Sequence, residues 1–297
     1  MAIGLITHMD TTRPEDVKAE ITNLDYTSTP FLSSIGESMA SNTFHEWQVD
    51  TYASSADNAA IESSDVTVSD LTQPTRTTNI VQLFRKDVVV SDTESAIPHY
   101  GMGDPFTYQT EKKMVEMNRD MEKAAIAGTR ASGSSGVARR MDGAIALITS
   151  NKTARSSGTS FTETEFNEIV RGIYDGGTDS TVDLVLLPSY LKLVVDRFNT
   201  KTTSNLSANE YSQVLRVETY TSAFGTHRIA FSREIPASGV LAVDTSKWRR
   251  AWLVNRQPKL TPLGKTGSAT KGLLEAEATL EALNQKSSAY RSGYFVG

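Results

Sequence analysis

The chain contains no cysteine. Disulfides, thiolate-bound zinc, iron–sulfur clusters and a cysteine nucleophile are therefore excluded, and the fold must be held by packing, which fits a reducing compartment. No apolar run approaches the roughly 18 residues needed to span a bilayer, so no membrane partner is expected. The opening residues, Met1-Ala2-Ile3-Gly4-Leu5-Ile6-Thr7-His8, lack a basic start and a long apolar stretch, and no signal peptide is expected. Histidine is scarce: His8, His45, His99 and His227 are too far apart in sequence to form a local metal pair. His45-Glu46-Trp47-Gln48-Val49 begins like a zinc-protease helix but lacks its second histidine. Gly264-Lys265-Thr266 looks like the end of a phosphate-binding loop, yet Lys259 stands where that motif needs glycine. Gly101-Met102-Gly103 lacks the third glycine of a dinucleotide fingerprint. No nucleophile elbow and no calcium-loop spacing occurs. The sequence nominates no catalytic, cofactor-binding or metal-binding residue.

What is present is a chain of 297 residues, 38% hydrophobic and 22% charged, long enough for two compact domains. The net charge of −5 is unevenly spread. Residues 1–65 hold 11 acids and 2 bases, whereas the remainder holds 24 acids and 28 bases. An acidic N-terminal part and a mildly basic body can attract one another between subunits, or simply keep the surface soluble.

Residues 1–42 read as an arm with little to form a core of its own. Pro14-Glu15-Asp16 can open a short helix, and Pro30 biases Thr29 towards extended backbone. Residues 43–52 and 76–90 read as the two limbs of a long ribbon. The stretch between them, 53–75, is rich in Ala, Ser, Asp and Thr and lacks aromatics. Such a ribbon is marginal alone and needs a neighbour to lie on.

The strongest helix is 104–127. Asp104 suits the N-cap, Pro105 the first turn and Gly128 the end. Met114, Met117, Met121 and Ala124 or Ala125 form its apolar stripe, with Lys112, Glu116, Arg119, Asp120 and Lys123 opposite. Two turn-rich stretches, 128–136 and 150–160, read as loops on either side of the apolar segment 141–148.

Residues 162–246 read as a compact α/β unit. Thr162 and Glu165 fit a capping box, and Phe166, Ile169, Val170 and Ile173 share one helical face. A buried strand is expected at 182–187, a helix carrying Leu191, Val194, Val195 and Phe198 after it, and strands at 213–220, 226–231 and 239–243. Residues 248–255 return to strand. Residues 273–284 stay open on pattern alone: Leu, Glu and Ala favour helix, yet Leu274, Ala276, Ala278, Leu280 and Ala282 alternate with polar residues as in a strand.

Between Asp244 and Glu275 lie seven basic residues and no acid, with Trp248 and Trp252 among them. This is either a nucleic-acid surface or a subunit contact. The acidic net charge of the whole chain favours the contact, because counterion release rewards a basic domain.

The order of these parts resembles the major capsid proteins of tailed bacteriophages, with the α+β fold called HK-ninety-seven-like. The resemblance is carried by Thr29-Pro30-Phe31-Leu32-Ser33-Ser34-Ile35-Gly36 in the arm and by Phe44-His45-Glu46-Trp47-Gln48-Val49-Asp50 entering the ribbon. Gln82-Leu83-Phe84-Arg85-Lys86-Asp87-Val88-Val89-Val90-Ser91 leaves it. Asn118-Arg119-Asp120-Met121-Glu122-Lys123-Ala124 lies on the long helix, and Arg140-Met141-Asp142-Gly143-Ala144 follows. Glu277-Ala278-Thr279-Leu280-Glu281-Ala282-Leu283-Asn284 lies near the C-terminus.

The resemblance implies an N-terminal arm (1–43), an extended loop (44–92), a peripheral domain (93–161 with 247–297) built on the spine helix 104–127, and an axial domain (162–246). It tips 273–284 towards strand. It implies a virion protein, assembled in the host cytoplasm into hexamers and pentamers of an icosahedral shell around double-stranded DNA. The DNA contact is expected to be weak and non-specific, with scaffolding, portal and decoration proteins as further partners and any scaffold a separate chain. An encapsulin-like compartment shell is the alternative of the same fold, and a carboxylate-based hydrolase in 162–246 is the enzymatic one.

Overall fold

The computed structural model describes residues 25–63, 65, 71–99, 101–176, 180–198 and 219–296. Residues 29–35 form a tight turn, in which the amides of Ser33 and Ile35 reach the carbonyls of Thr29 and Phe31. It leads into a short strand, Gly36–Ala40 (β1). Phe44–Val49 (β2) and Thr75–Ile80 (β3) then pair antiparallel from Phe44↔Ile80 to Val49↔Thr75. The ribbon is there, but its expected return limb is two strands. The break falls at Val81, and Gln82–Ser91 (β4) enters a different sheet. Val81 is fully buried and its amide donates to the Thr43 carbonyl, so packing makes this break without glycine or proline.

After one helical turn, Asp92–Ala96 (α1), comes the long helix Pro105–Ala127 (α2). The Asp104 carboxylate accepts the Phe106 and Thr107 amides, and Gly128 ends the helix, as its sequence signals indicate. Met117, Met121, Ala124 and Ala125 are buried, and Met114 packs beside them half-covered. The stretch after α2 folds back on itself, setting Ala131 opposite Arg140 and Ser134 opposite Val137. The Gly143 amide then donates to the Gly128 carbonyl at 3.0 Å. A Cβ on Gly143 would lie 2.6–2.8 Å from three backbone atoms of Ile126, Gly128 and Ala124. Gly143→Ala is therefore expected to destabilise the subunit by about 1–3 kcal/mol, the usual cost of overpacking against unyielding neighbours. Urea unfolding checks this; an unchanged midpoint would show that the backbone can separate there.

Ala144–Leu147 (α3) precedes Lys152–Thr159 (β5). The latter corrects the expected loop at 150–160. It is an edge strand with water on most of its surface, so polar residues on both faces hide its period. Glu163–Asp175 (α4) starts with Thr162 accepting the Glu165 amide, and all four residues of its expected apolar face are buried. Then follow Leu184–Leu187 (β6), Ser189–Asp196 (α5), Thr219–Ser222 (β7), Gly225–Phe231 (β8) and Val240–Val243 (β9). Of the strand expected at 213–220, residues 213–218 lie outside the described residues. Trp248–Leu253 (β10), Lys259–Pro262 (β11), Ala269–Ala282 (β12) and Ala289–Tyr294 (β13) complete the chain.

One sheet runs β1-β10-β12-β11, with β4 on the other side of β12. The second runs β5-β13-β9-β6-β8-β7. Thus β5 and β13, from segments expected with the peripheral unit, lie in the sheet of the α/β unit. Its middle strands are covered on both faces. Leu184, Leu186, Leu241 and Val243 face a core shared with Phe31, Trp248 and α2, while Val185, Leu187, Val240 and Ala242 face a second core under α4 and α5. That is why β6 and β9 read as unbroken apolar runs.

The ambiguous segment is strand. Leu274, Ala276, Ala278, Leu280 and Ala282 of β12 face the first core. Its polar face is covered too: Glu277 accepts from Arg139 (3.1 Å) and Arg256 (2.8 Å), and Glu281 from the Ser38 hydroxyl (2.7 Å). His45, whose ring nitrogen lies 3.9 Å from Glu281, and the hydrogen bond from Ser38 hold this carboxyl below its ordinary range against the opposing effect of burial.

Candidate assembly surfaces

The base of the ribbon is fixed. Trp47 is buried and its indole N–H donates to the Ala282 carbonyl at 2.7 Å. Beyond Val49 the chain leaves its own body. Every described residue from 50 to 74 is exposed, including Tyr52 (103%), Ile61 (83%) and Leu71 (93%). Asp50, Asp57, Glu62, Asp65 and Asp70 lie in this excursion, and no lysine or arginine does. Acidic, apolar-studded and uncovered, it has the character of a segment made for another surface.

A groove of about 470 Å³ runs between β4 and the C-terminal half of α2. Leu83, Arg85, Lys123 and Arg140 line it. Asp120 on the same wall is held by Lys86, 2.6 Å away. Among the described residues no carboxylate comes within ion-pair distance of Arg85, Lys123 or Arg140, so the groove presents free positive charge beside a half-exposed leucine.

The basic stretch after Asp244 does not interleave aromatics with cations on one surface. Trp248 and Trp252 are buried in the first core. Arg250 pairs with Glu37 and stacks on Trp252 at 4.4 Å, Arg256 pairs with Glu275 and Glu277, and Lys265 with Asp92. These cations serve the subunit itself. Base stacking on either tryptophan is closed off.

The arm root holds residues that sequence pattern did not single out. Tyr26 lies between the guanidinium groups of Arg119 (4.0 Å) and Arg233 (4.7 Å) and donates its hydroxyl to Glu234. That bond, with burial, raises the Tyr26 hydroxyl above its ordinary value. Glu122, buried on α2, accepts the Phe31 and Leu32 amides at 2.8 Å each. The faint signal was an acid set against the apolar stripe of Met121 and Ala125.

The histidines stay apart. His8 lies outside the described residues, His45 faces Glu281, and His99 faces Glu94. His227 is buried between the Ser222 hydroxyl and the Val182 carbonyl. Among the described residues no group of three metal-binding side chains converges, and no helix is long and apolar enough to cross a membrane.

Comparison with known proteins agrees with this architecture. The chain is similar to the major capsid protein of Escherichia phage Phieco32, 25% identical over 309 residues covering 86% of this chain and 87% of that one. Its fold matches the Cyanophage A-1(L) capsid asymmetric unit with a TM-score of 0.68 at 12% identity, over 98% of this chain and 100% of that one. It also matches the SrpI encapsulin from Synechococcus elongatus with a TM-score of 0.63 at 10% identity, over 95% and 93% of the two chains. The fold is thus the HK-ninety-seven-like α+β fold of the capsid proteins. The family model of the SU10 major capsid protein matches residues 5–293, and the chain belongs to that family of tailed-phage major capsid proteins.

Proposed function

We propose that the chain assembles with copies of itself into hexamers and pentamers, and that these close into an icosahedral shell around double-stranded DNA. One observation carries this reading: the acidic excursion exposes Tyr52, Ile61 and Leu71, which no described residue of its own subunit covers. A neighbour's groove, with Arg85, Lys123 and Arg140 beside Leu83, offers the matching charge and an apolar contact. In this reading residues 1–43 are the arm, 44–92 the extended loop, 93–161 with 247–297 a peripheral domain on the spine helix α2, and 162–246 an axial domain. The axial sheet also takes in β5 and β13. The work is structural and not catalytic. Contact with DNA is weak and non-specific, because several of the cations after Asp244 are paired within the chain. Scaffolding, portal and decoration proteins are further partners, and assembly takes place in the host cytoplasm.

Negative-stain electron microscopy of the purified protein tests this. Closed shells, rings or tubes of regular subunits are expected. Only small monodisperse particles, with scaffold and partners supplied, would sink it. The match to an encapsulin keeps a protein compartment as the second reading; DNA inside the shells supports the phage head, a packaged enzyme the compartment.

A further inference from the structure

Glu122 sits inside the subunit at 1% exposure. No described cation lies within ion-pair distance of it. Its two oxygens each accept one amide, from Phe31 and Leu32. Those amides open the turn 29–35, whose next amides are satisfied locally on Thr29 and Phe31. The first amides of any helical turn lack a partner of their own, and a carboxyl side chain has the lone pairs to accept them. Here the cap comes from another element, 90 and 91 positions along the chain. One turn earlier on the same helix, Arg119 stacks on Tyr26, while Arg233 and Glu234 hold that ring from the segment after β8. Arg228 of β8 donates to Ser34. The arm root therefore bridges the spine helix and the six-stranded sheet.

We propose that Glu122 is a proton-governed anchor for this root: its protonated form holds residues 29–35 on the spine helix, and loss of the proton favours their release. The charges that face it are few. Burial is the largest influence and raises its pKa, the Leu32 and Phe31 amides lower it, Glu234 raises it and Arg250 on β10 lowers it. The outcome is a carboxyl pushed up to about 7 from the ordinary 4.5. A protonated carboxyl keeps acceptor lone pairs for the two amides and loses the charge that burial penalises. In the released state the side chain meets water and titrates near its ordinary value. The docked state then binds more protons than the released one between the two pKa values. Docking is strongest below the lower value, weakens by up to ~10-fold per pH unit across the window and levels off above the upper one. Release loosens the link between helix and sheet that the root provides.

The test is hydrogen exchange with mass spectrometry on the full-length unassembled chain, comparing protection factors of the arm-root peptides from pH 5 to 8. Protection of 29–35 is expected to fall on the order of a hundredfold across this range in the parent, and to stay flat in Glu122→Gln. A flat parent profile, or the same fall in Glu122→Gln, would overturn the proposal. Because glutamine turns an N–H₂ towards the two amides and can weaken the turn outright, Glu234→Gln is the second variant. It removes the facing negative charge and leaves both anchor bonds, so the transition should move to lower pH. An unmoved transition would assign the proton to another group and overturn the proposal equally. Neither measurement requires a shell, so failure here leaves the assembly reading untouched.

Discussion

Trp248→Ala will destabilise the subunit by about 3–5 kcal/mol, the range for deleting a large aromatic from a well-packed core. Trp248 is fully buried, heads β10 and meets Phe31 edge to face at 6.0 Å. Its indole N–H donates to the Ser288 hydroxyl at 2.8 Å. Alanine would leave three things behind: a cavity between the two sheets, a buried Ser288 without its donor, and an arm root without the ring on which Phe31 rests. The lost partner of the buried hydroxyl, worth about 1–3 kcal/mol, places the cost towards the upper end of the range for deleting the ring. Trp248→Phe should recover most of the packing but not the hydrogen bond, and fall between parent and alanine. Urea unfolding followed by circular dichroism, with the slope compared between variants, gives the difference. A loss below about 1 kcal/mol would mean that the site collapses around alanine, and that the two sheets are not joined through this ring.

The same residue marks the limit of what sequence pattern can tell. Local signals carried the helices: Asp104, Pro105 and Gly128 bracket α2, and Thr162 with Glu165 opens α4, because caps act within a few residues of the backbone they satisfy. The two core-spanning strands, β6 and β9, showed as apolar runs because water reaches neither face. Tertiary choices were hidden. Whether Trp248 faces a core or a partner depends on what lies across from it, and that is Phe31, far along the chain. The alternation of β12 showed a polar face but not what lies on it: Arg139, Arg256, Ser38 and His45 from four other segments cover it. The break at Val81 carries no turn residue. Glu122 acts on amides some 90 positions away, and its place beside the apolar stripe signals burial but not which amides it meets. Of the candidate assembly surfaces, the ribbon and its acidic excursion were legible because a segment without core-forming residues gains little by packing on its own subunit. The cationic groove was not, since Arg85, Lys123 and Arg140 meet only once β4 has crossed the spine helix.

Replacing residues 53–72 by a short Gly-Ser link between β2 and β3 will leave the subunit as stable as the parent and abolish closed shells. The described residues of this segment are exposed, so its removal uncovers no apolar surface within the subunit. The ladder from Phe44↔Ile80 to Val49↔Thr75 and the Trp47 bond to Ala282 remain. A shorter connection even favours the folded state slightly, by about 0.6 kcal/mol for each halving of the loop. Assembly responds the other way. Burying Ile61 and Leu71, both removed by the excision, on a neighbour is worth on the order of 1.5–3 kcal/mol for each side chain, and the contact recurs at every subunit of a ring. Without it the remaining interfaces must overcome the entropy of association alone. Sedimentation velocity and negative-stain images of the excised chain, beside urea unfolding of the same preparation, separate the two effects. Parent-like shells from the excised chain would show that the excursion is not the assembly surface. A chain that unfolds on excision would show that the excursion supports its own subunit, against the exposure of every described residue within it.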